Sequence, residues 1–306
     1  SVVFILFSLS GCDELGLIEI PKFMSDKKWG NSRDGSRFTM VEDLRVHYRD
    51  QGPRNAPVII AIHGIADSLH VWDKMAQKLQ KDFRFIRFDV PGFGLTGAIP
   101  NRDYSAENWV HIINEFTKKL RLKNFHIIGN SLGGYLAWNY AIEHPHKTKS
   151  IFLLDPAAFP VDKAPWVVEL ARYSPVRQIS LNTTPKLLIA KAVYEVYGDD
   201  SLVTKEIIDR YYEMMLRKGN RHSYMDVFRK ILELQTIYPT ELADLKTKTM
   251  VVFGEKDEWI PPTQLAMWKK DVPHVLTNTY PGVGHTPQDE AAELVINDFL
   301  NFIKTK

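Results

Sequence analysis

The sequence predicts an α/β fold around a mostly parallel sheet, and three observations carry that reading. Short continuous apolar runs such as Val58–Ile62 recur along the chain, as expected of strands buried on both faces. Helix-length segments separate these runs. The alternation then fails between about Pro156 and Pro239, where a helical pattern rich in Tyr, Met and Leu stands alone before a strand pattern resumes at Thr249.

The elements follow in order. Arg37–Val41 and Leu44–Tyr48 form a hairpin across Glu42-Asp43. Val58–Ile62, Phe83–Phe88, Phe125–Ile128, Ser150–Leu154, Thr249–Phe253 and Val275–Thr279 are the expected core strands. Trp72–Leu79, Ala106–Leu120 and Leu132–His144 are expected helices, and the last of them stops before Pro145 as a helix usually must. A final helix over Asp289–Ile303 gathers Ala292, Val295, Phe299, Phe302 and Ile303 near one face, which should pack on the sheet. The expected organisation is therefore a core of residues 37–155 and 240–306, with residues 156–239 inserted as a helical cap. Tyr194, Tyr197, Tyr211, Tyr212, Met214 and Met215 give that cap an apolar character suited to lining a pocket, although such a stripe is also what simple packing needs.

The chain has 306 residues, 44% hydrophobic and 25% charged, enough for one large domain carrying an inserted subdomain. A net charge of +2 gives no reason to expect a nucleic-acid partner, and Lys118-Lys119 and Lys246/Lys248 are short solvated runs. Gly92-Phe-Gly94-Leu-Thr-Gly97 matches a dinucleotide fingerprint by spacing. It leads into Ala98-Ile99-Pro100-Asn101, a loop rather than the helix such a site requires. No metal or nucleotide motif occurs, so neither a metal nor any other cofactor is expected, and the chain is expected to act as a monomer.

Cys12 is the one cysteine, which rules out an internal disulfide. It follows the apolar run of residues 2–9, a stretch too short to span a bilayer as a helix but patterned like a secretory signal. Leu9-Ser10-Gly11-Cys12 resembles the lipobox of bacterial lipoproteins, in which the signal is cut before a cysteine that becomes lipidated. Residues 1–12 are thus expected to be a shortened signal segment lacking an initiator Met and a basic leader. Residues 13–36, with no sustained period, are expected to be a tether. The resemblance implies a lipid anchor at Cys12 and a place in the bacterial cell envelope, at a membrane surface.

Gly129-x-Ser131-x-Gly133 directly follows the strand Phe125–Ile128 and directly precedes the helix from Leu132. A serine at such a hard strand-to-helix turn is held out where a substrate can meet it, and small neighbours let strand and helix approach. It also stands at a helix N-terminus, where free N–H groups favour negative charge. A serine hydroxyl needs a base, and the base needs an orienting acid. Of ten histidines, His285 lies after the last strand in Gly282-Val-Gly-His285 and can reach back to the turn. His274 is at the opposite strand end, His126 lies inside the serine's own strand, and His144, His146 and His222 read as helix-end or surface residues. For the acid, Asp257 follows Thr249–Phe253 at the same sheet edge; Asp155, Glu255 and Glu258 compete with it. The oxyanion donors are expected to be the backbone N–H groups of Leu132, next to the serine, and Ile65, on the loop after Val58–Ile62. His63 reads as a structural residue that fixes this loop.

Together, His63-Gly64, Asp89-Val-Pro-Gly-Phe-Gly94, Gly-Asn-Ser-Leu-Gly-Gly, Gly-Glu-Lys-Asp257 and Gly-Val-Gly-His285 resemble the α/β-hydrolase superfamily over residues 37–306. The order Ser131, Asp257, His285 is that of these enzymes. The likeness is strongest to compact bacterial lipases and esterases with a helical cap, some of which are lipoproteins. It implies cleavage of small-molecule or lipid carboxylic esters through an acyl-enzyme on Ser131. The chain is also similar to carbon–carbon bond hydrolases of aromatic degradation, which share the Gly-Asn-Ser turn. Those enzymes usually carry a tryptophan after the catalytic histidine, where this chain has Thr286-Pro287. Haloalkane dehalogenases and epoxide hydrolases use an aspartate nucleophile, from which Ser131 departs.

Overall fold

A computed structural model describes residues 14–305. Eight strands form one sheet: β1 (Ser36–Val41), β2 (Leu44–Gln51), β3 (Val58–Ile62), β4 (Arg84–Phe88), β5 (Phe125–Asn130), β6 (Thr148–Leu154), β7 (Thr249–Gly254) and β8 (Leu276–Tyr280). Their order across the sheet is β1-β2-β4-β3-β5-β6-β7-β8. Only the β1–β2 and β2–β4 pairs are antiparallel. From β4 to β8 every neighbour is parallel. The strand order reverses between β3 and β5, and a crevice outside the strand C-termini at such a point is where open α/β sheets bind ligands.

Parallel strands need helical crossovers, and these cover both faces. On one face lie α3 (Ala106–Lys119) and α4 (Leu132–Glu143). The start of α3 is fixed by Ser105, whose Oγ accepts from Asn108 N (3.2 Å). Its buried Trp109, Val110, Ile112, Ile113 and Phe116 form the face turned to the sheet. On the other face α2 (Asp73–Leu79) and the C-terminal helix α12 (Ala292–Lys304) enclose Ile59, Ala61, Phe152 and Phe299. Burial of side chains such as Ile60 and Phe299, fully removed from water, contributes roughly 1.5–3 kcal/mol each. The expected single helix over 289–303 is divided: α11 (Pro287–Glu290) ends at Ala291, whose φ −130, ψ 41 breaks the helical path before α12 begins.

Between β6 and β7 the chain builds α5 (Trp166–Glu169), α6 (Ser174–Asn182), α7 (Lys186–Val196), α8 (Lys205–Leu216) and α9 (Asn220–Leu234), with none of the sheet's strands among them. Of the aromatic and sulfur residues singled out there, Tyr197, Tyr212, Met214 and Met215 are buried while Tyr194 is 41% exposed.

Residues 14–36 are not the tether that their irregular pattern suggests. They contain α1 (Lys22–Trp29) and are fastened to the cap. Ile20 exchanges backbone hydrogen bonds with Leu216 and Lys218 (2.8 and 2.9 Å). Trp29 Nε1 and Lys28 Nζ donate to the Glu213 carboxylate (2.9 and 2.6 Å), and Asp26 pairs with Arg45 and Arg217 (2.8 and 3.2 Å). α1 is mostly polar, so its helix is held by these tertiary contacts rather than by an apolar stripe. No helix among the described residues is long and apolar enough to cross a membrane. Cys12 and the apolar run before it lie outside the described residues.

Candidate active site

The site forms at the C-terminal edge of β5. Ser131 takes φ 55, ψ −118, a left-handed conformation rare for a residue with a Cβ, at a cost of about 1–3 kcal/mol. The turn is possible only between glycines. A Cβ on Gly129 would lie 2.4 Å from Gly133 O, and one on Gly133 would lie 2.0 Å from Ile62 O. Neighbouring backbone fixes the strained residue: Ser131 N donates to Leu154 O (3.0 Å), and Ser131 O accepts from Tyr135 N and Ala157 N. As N-cap of α4, Ser131 makes no side-chain capping bond. Its hydroxyl is therefore not occupied with the helix end.

The fold brings His285 and Asp257 together. His285 Nδ1 donates to Asp257 Oδ2 at 2.7 Å, and both side chains are almost wholly buried. That bond fixes the tautomer, leaving the lone pair on Nε2. His285 Nε2 is buried with no hydrogen-bond partner and borders the same cavities as Ser131. Asp257 is itself oriented, because its Oδ1 accepts from Trp259 N (2.7 Å) and Ile260 N (3.0 Å). Glu255 and Glu258 are exposed, and Glu255 accepts from Thr279 Oγ1 instead. Asp155 lies close by: it, Asp257 and His285 present side-chain O and N atoms within 4.8 Å of one another. Burial, and then the neighbouring Asp257, push the Asp155 carboxyl well above the usual carboxylate range.

Ile65 and Leu132 both border the space at Ser131. His63 has the loop-fixing place expected of it. Its Nε2 accepts from Val90 N (2.8 Å), and its Nδ1 donates to Gly64 O (2.8 Å). Burial holds this imidazole below its ordinary value and so neutral. His274 is exposed at the far strand end, and His126 is half-buried against Ser150 Oγ (2.7 Å). The glycine-rich Gly92–Gly97 segment is a turn wrapped on Asp89, whose Oδ2 accepts from Leu95 N (2.6 Å).

Several supporting residues have roles that the sequence analysis does not assign. Asn130 Nδ2 donates to His285 O (2.9 Å) and Leu154 O (3.1 Å), while Gln288 Nε2 donates to Asn130 Oδ1 (3.0 Å). This bracket ties the histidine loop to the serine strand. The cap is tied to the same loop: His285 N donates to Val196 O (2.8 Å), and the Glu290 carboxylate accepts from Gly198 N and Gly284 N. Trp259 lies beside His285, ring centroids 5.4 Å apart and the planes tilted by 42°.

Two cavities meet at this point. One runs under the cap past Trp166, Leu188, Val193, Met215 and Phe228. The other runs past Tyr135, Phe159, Val168, Ile231 and Ile260. Ile65, Ser131, Trp259 and His285 border both, and among the described residues no lysine or arginine lines either. A reacting group held at Ser131 would thus have an apolar arm on each side and a free imidazole nitrogen nearby.

Residues 57–292 match the family model described as the alpha/beta hydrolase fold. The chain belongs to the α/β-hydrolase family, and it is a hydrolase. Among its relatives, Lipase 3 of Moraxella sp. (strain TA144) is 26% identical, across 97% of this chain and 95% of that one. The 2-hydroxy-6-oxo-6-phenylhexa-2,4-dienoate hydrolase of Burkholderia cepacia is 24% identical, across 86% and 92% respectively. Among solved structures, a membrane phospholipase A has the same fold with a TM-score of 0.76 and 20% identity, across 99% of this chain and 96% of that one.

Proposed function

We propose that this hydrolase cleaves carboxylic esters that are apolar on both sides of the ester bond, through an acyl-enzyme on Ser131. The observation that carries the reading is the lining of the two arms, largely apolar and without a cation. A ring-fission substrate such as the dienoate in the name of the Burkholderia relative carries a carboxylate. Bringing an anion into a space whose one carboxyl-bearing wall residue is Asp67 would leave its charge unpaired, whereas a neutral ester meets no such cost.

In the proposed cycle His285 Nε2 takes the Ser131 proton as Oγ attacks the ester carbonyl carbon. The Ile65 and Leu132 amides hold the oxyanion, and Asp257 steadies the imidazolium. The carbonyl re-forms, the C–O bond to the alcohol breaks, and His285 gives the alcohol its proton. Water, deprotonated by the same nitrogen, then releases the acid and restores Ser131. A panel of p-nitrophenyl esters of increasing chain length, set beside a ring-fission dienoate, tests this. We expect turnover of the esters, favouring apolar chains, and none of the dienoate; faster dienoate cleavage would instead assign carbon–carbon bond hydrolysis to the same residues.

The apolar run before Cys12 and the Leu9-Ser10-Gly11-Cys12 pattern support lipid anchorage at the cell envelope as part of the same proposal. Leu15, Leu17, Ile18, Phe23 and Met24, which follow directly, are about half exposed or more, as suits a segment beside a bilayer. Mass spectrometry of the protein from its own host should find Cys12 as a lipidated N-terminus. An unmodified Cys12 would remove this part.

A further inference from the structure

Two carboxyl groups stand side by side behind His285, and hydrolysis as proposed above uses only one. We infer that Asp155 is a positioning residue that keeps its proton at neutral pH and donates it in a hydrogen bond to the Asp257 carboxylate. The inference rests on Asp257 and His285 serving Ser131 as just described.

The hydrogen-bond inventory says which carboxyl is ionised. Asp257 already accepts three donors: Trp259 N, Ile260 N and His285 Nδ1. Asp155 accepts one, Gly254 N on Oδ1 (2.9 Å). Its Oδ2 is buried with no donor directed at it, and Asp257 is the acceptor in reach. An ionised Asp155 would leave that oxygen as an unsatisfied buried charge next to another anion. A protonated one turns the same oxygen into a donor and satisfies both groups.

The charged and titratable groups that bear on Asp155 agree. From β7 and its loop comes Asp257, from α11 Glu290, from the end of β8 the Tyr280 phenol, and from the histidine loop His285. Asp257 and Glu290 are carboxyl groups whose charge opposes a second anion at Asp155, and the Tyr280 phenol, raised by burial, offers no charge to offset one. Asp155 is wholly buried and fixed by its own backbone, at φ 45 with its N–H donated to Val252 O (2.8 Å). It cannot turn toward water to shed the conflict.

The consequence is a three-part relay, Asp155–H to Asp257 to His285, in which the outer proton does not move. Its hydrogen bond draws charge from Asp257 and holds that carboxylate square to the imidazole. Asp155→Asn keeps both functions, since the amide can donate to Asp257 and accept from Gly254 N; Asp155→Ala keeps neither. We expect Asp155→Asn to retain kcat within about threefold. Asp155→Ala should lose about 10- to 100-fold in kcat with KM little changed, the size of effect found when the hydrogen-bond partners of metal ligands are removed, and its acid limb of kcat against pH should shift.

Difference infrared spectroscopy at pH 7 supplies a readout independent of substrate and of the alanine variant's folding. The parent should show a protonated-carboxyl stretch that vanishes in Asp155→Asn. Absence of that band overturns the proposal, as does an Asp155→Asn variant as slow as Asp155→Ala. Loss of activity on chelation, restored by a divalent cation, would also overturn it by giving the cluster to a metal. If the band is present and no ester is cleaved, the proposed substrate class has failed while the protonation of Asp155 stands.

Discussion

Two Ser–His–Asp arrays lie among the described residues, and only one of them borders the cavities at Ser131. In the first, His47 Nδ1 donates to Asp89 Oδ2 (2.7 Å) and His47 Nε2 meets Ser36 Oγ (3.0 Å). In the second, His285 Nδ1 donates to Asp257 Oδ2 at the same 2.7 Å, but Nε2 has no partner. By connectivity alone the first is the better triad. Yet Ser36 also accepts from Arg49 Nε (3.1 Å), and Asp89 from Leu69 N and Leu95 N (2.7 and 2.6 Å), so its polar atoms are saturated. Ser36, His47 and Asp89 line neither cavity at Ser131. A satisfied array stiffens the junction of β1, β2 and β4. An unsatisfied one, with a strained serine and open space, is left with something to do.

The largest effect that would break this comparison is on activity. Ser131→Ala should reduce ester hydrolysis on the order of 10⁴-fold or more, leaving only what oxyanion binding supplies, with little change in thermal stability. Ser36→Ala should do the opposite. Hydrolysis per folded molecule stays near that of the parent, while removal of the hydroxyl leaves His47 Nε2 buried and unmet, at a cost of about 1–3 kcal/mol. Paired kinetics and denaturant titrations check both variants. If Ser36→Ala lost activity without losing stability, the division between the two arrays would be wrong.

The same contrast explains what could be read in the sequence. The Ser131 turn was legible because its signal is local: small residues at fixed spacing between a strand and a helix. Asp257 and His285 were legible because topology puts the ends of β7 and β8 at one sheet edge. The status of Asp155 was not, since it depends on which carboxyl receives the amides of Trp259 and Ile260, a matter of loop geometry after β7. Residues 14–36 depart from the expected tether for a related reason. Their helix α1 is closed by Glu213 and Arg217, nearly 200 positions away in the chain, and leaves no period behind. Likewise nothing in Asp289–Ile303 marks Ala291 as a break, because the pattern of apolar residues continues across it.

The smallest effect concerns a third pairing, His126 with Ser150 Oγ, which has a serine but no acid. Burial, and then Lys149 and Lys248, hold the His126 imidazole down at about 4. With no carboxylate to stabilise its cation, this ring stays neutral in the fold. The unfolded chain takes up the proton near 6.5, so it binds more protons than the folded chain between the two values. Stability from this group is complete above about 6.5, falls as pH is lowered through the window, and changes no further below about 4. The ring is partly exposed, so the loss should stay well under the ceiling of about 1.4 kcal/mol per pH unit for one proton. Replacing His126 by Gln removes the titration, so melting curves of parent and variant taken from pH 7 to pH 4 should converge or cross as the parent alone loses this increment. A constant separation across that range would mean that His126 takes up its proton in the folded protein over the same pH range as in the unfolded chain. A Ser–His pair would then hold a cation in the fold without an acid, and the saturation of Asp89 would no longer distinguish the structural array from the one at Ser131.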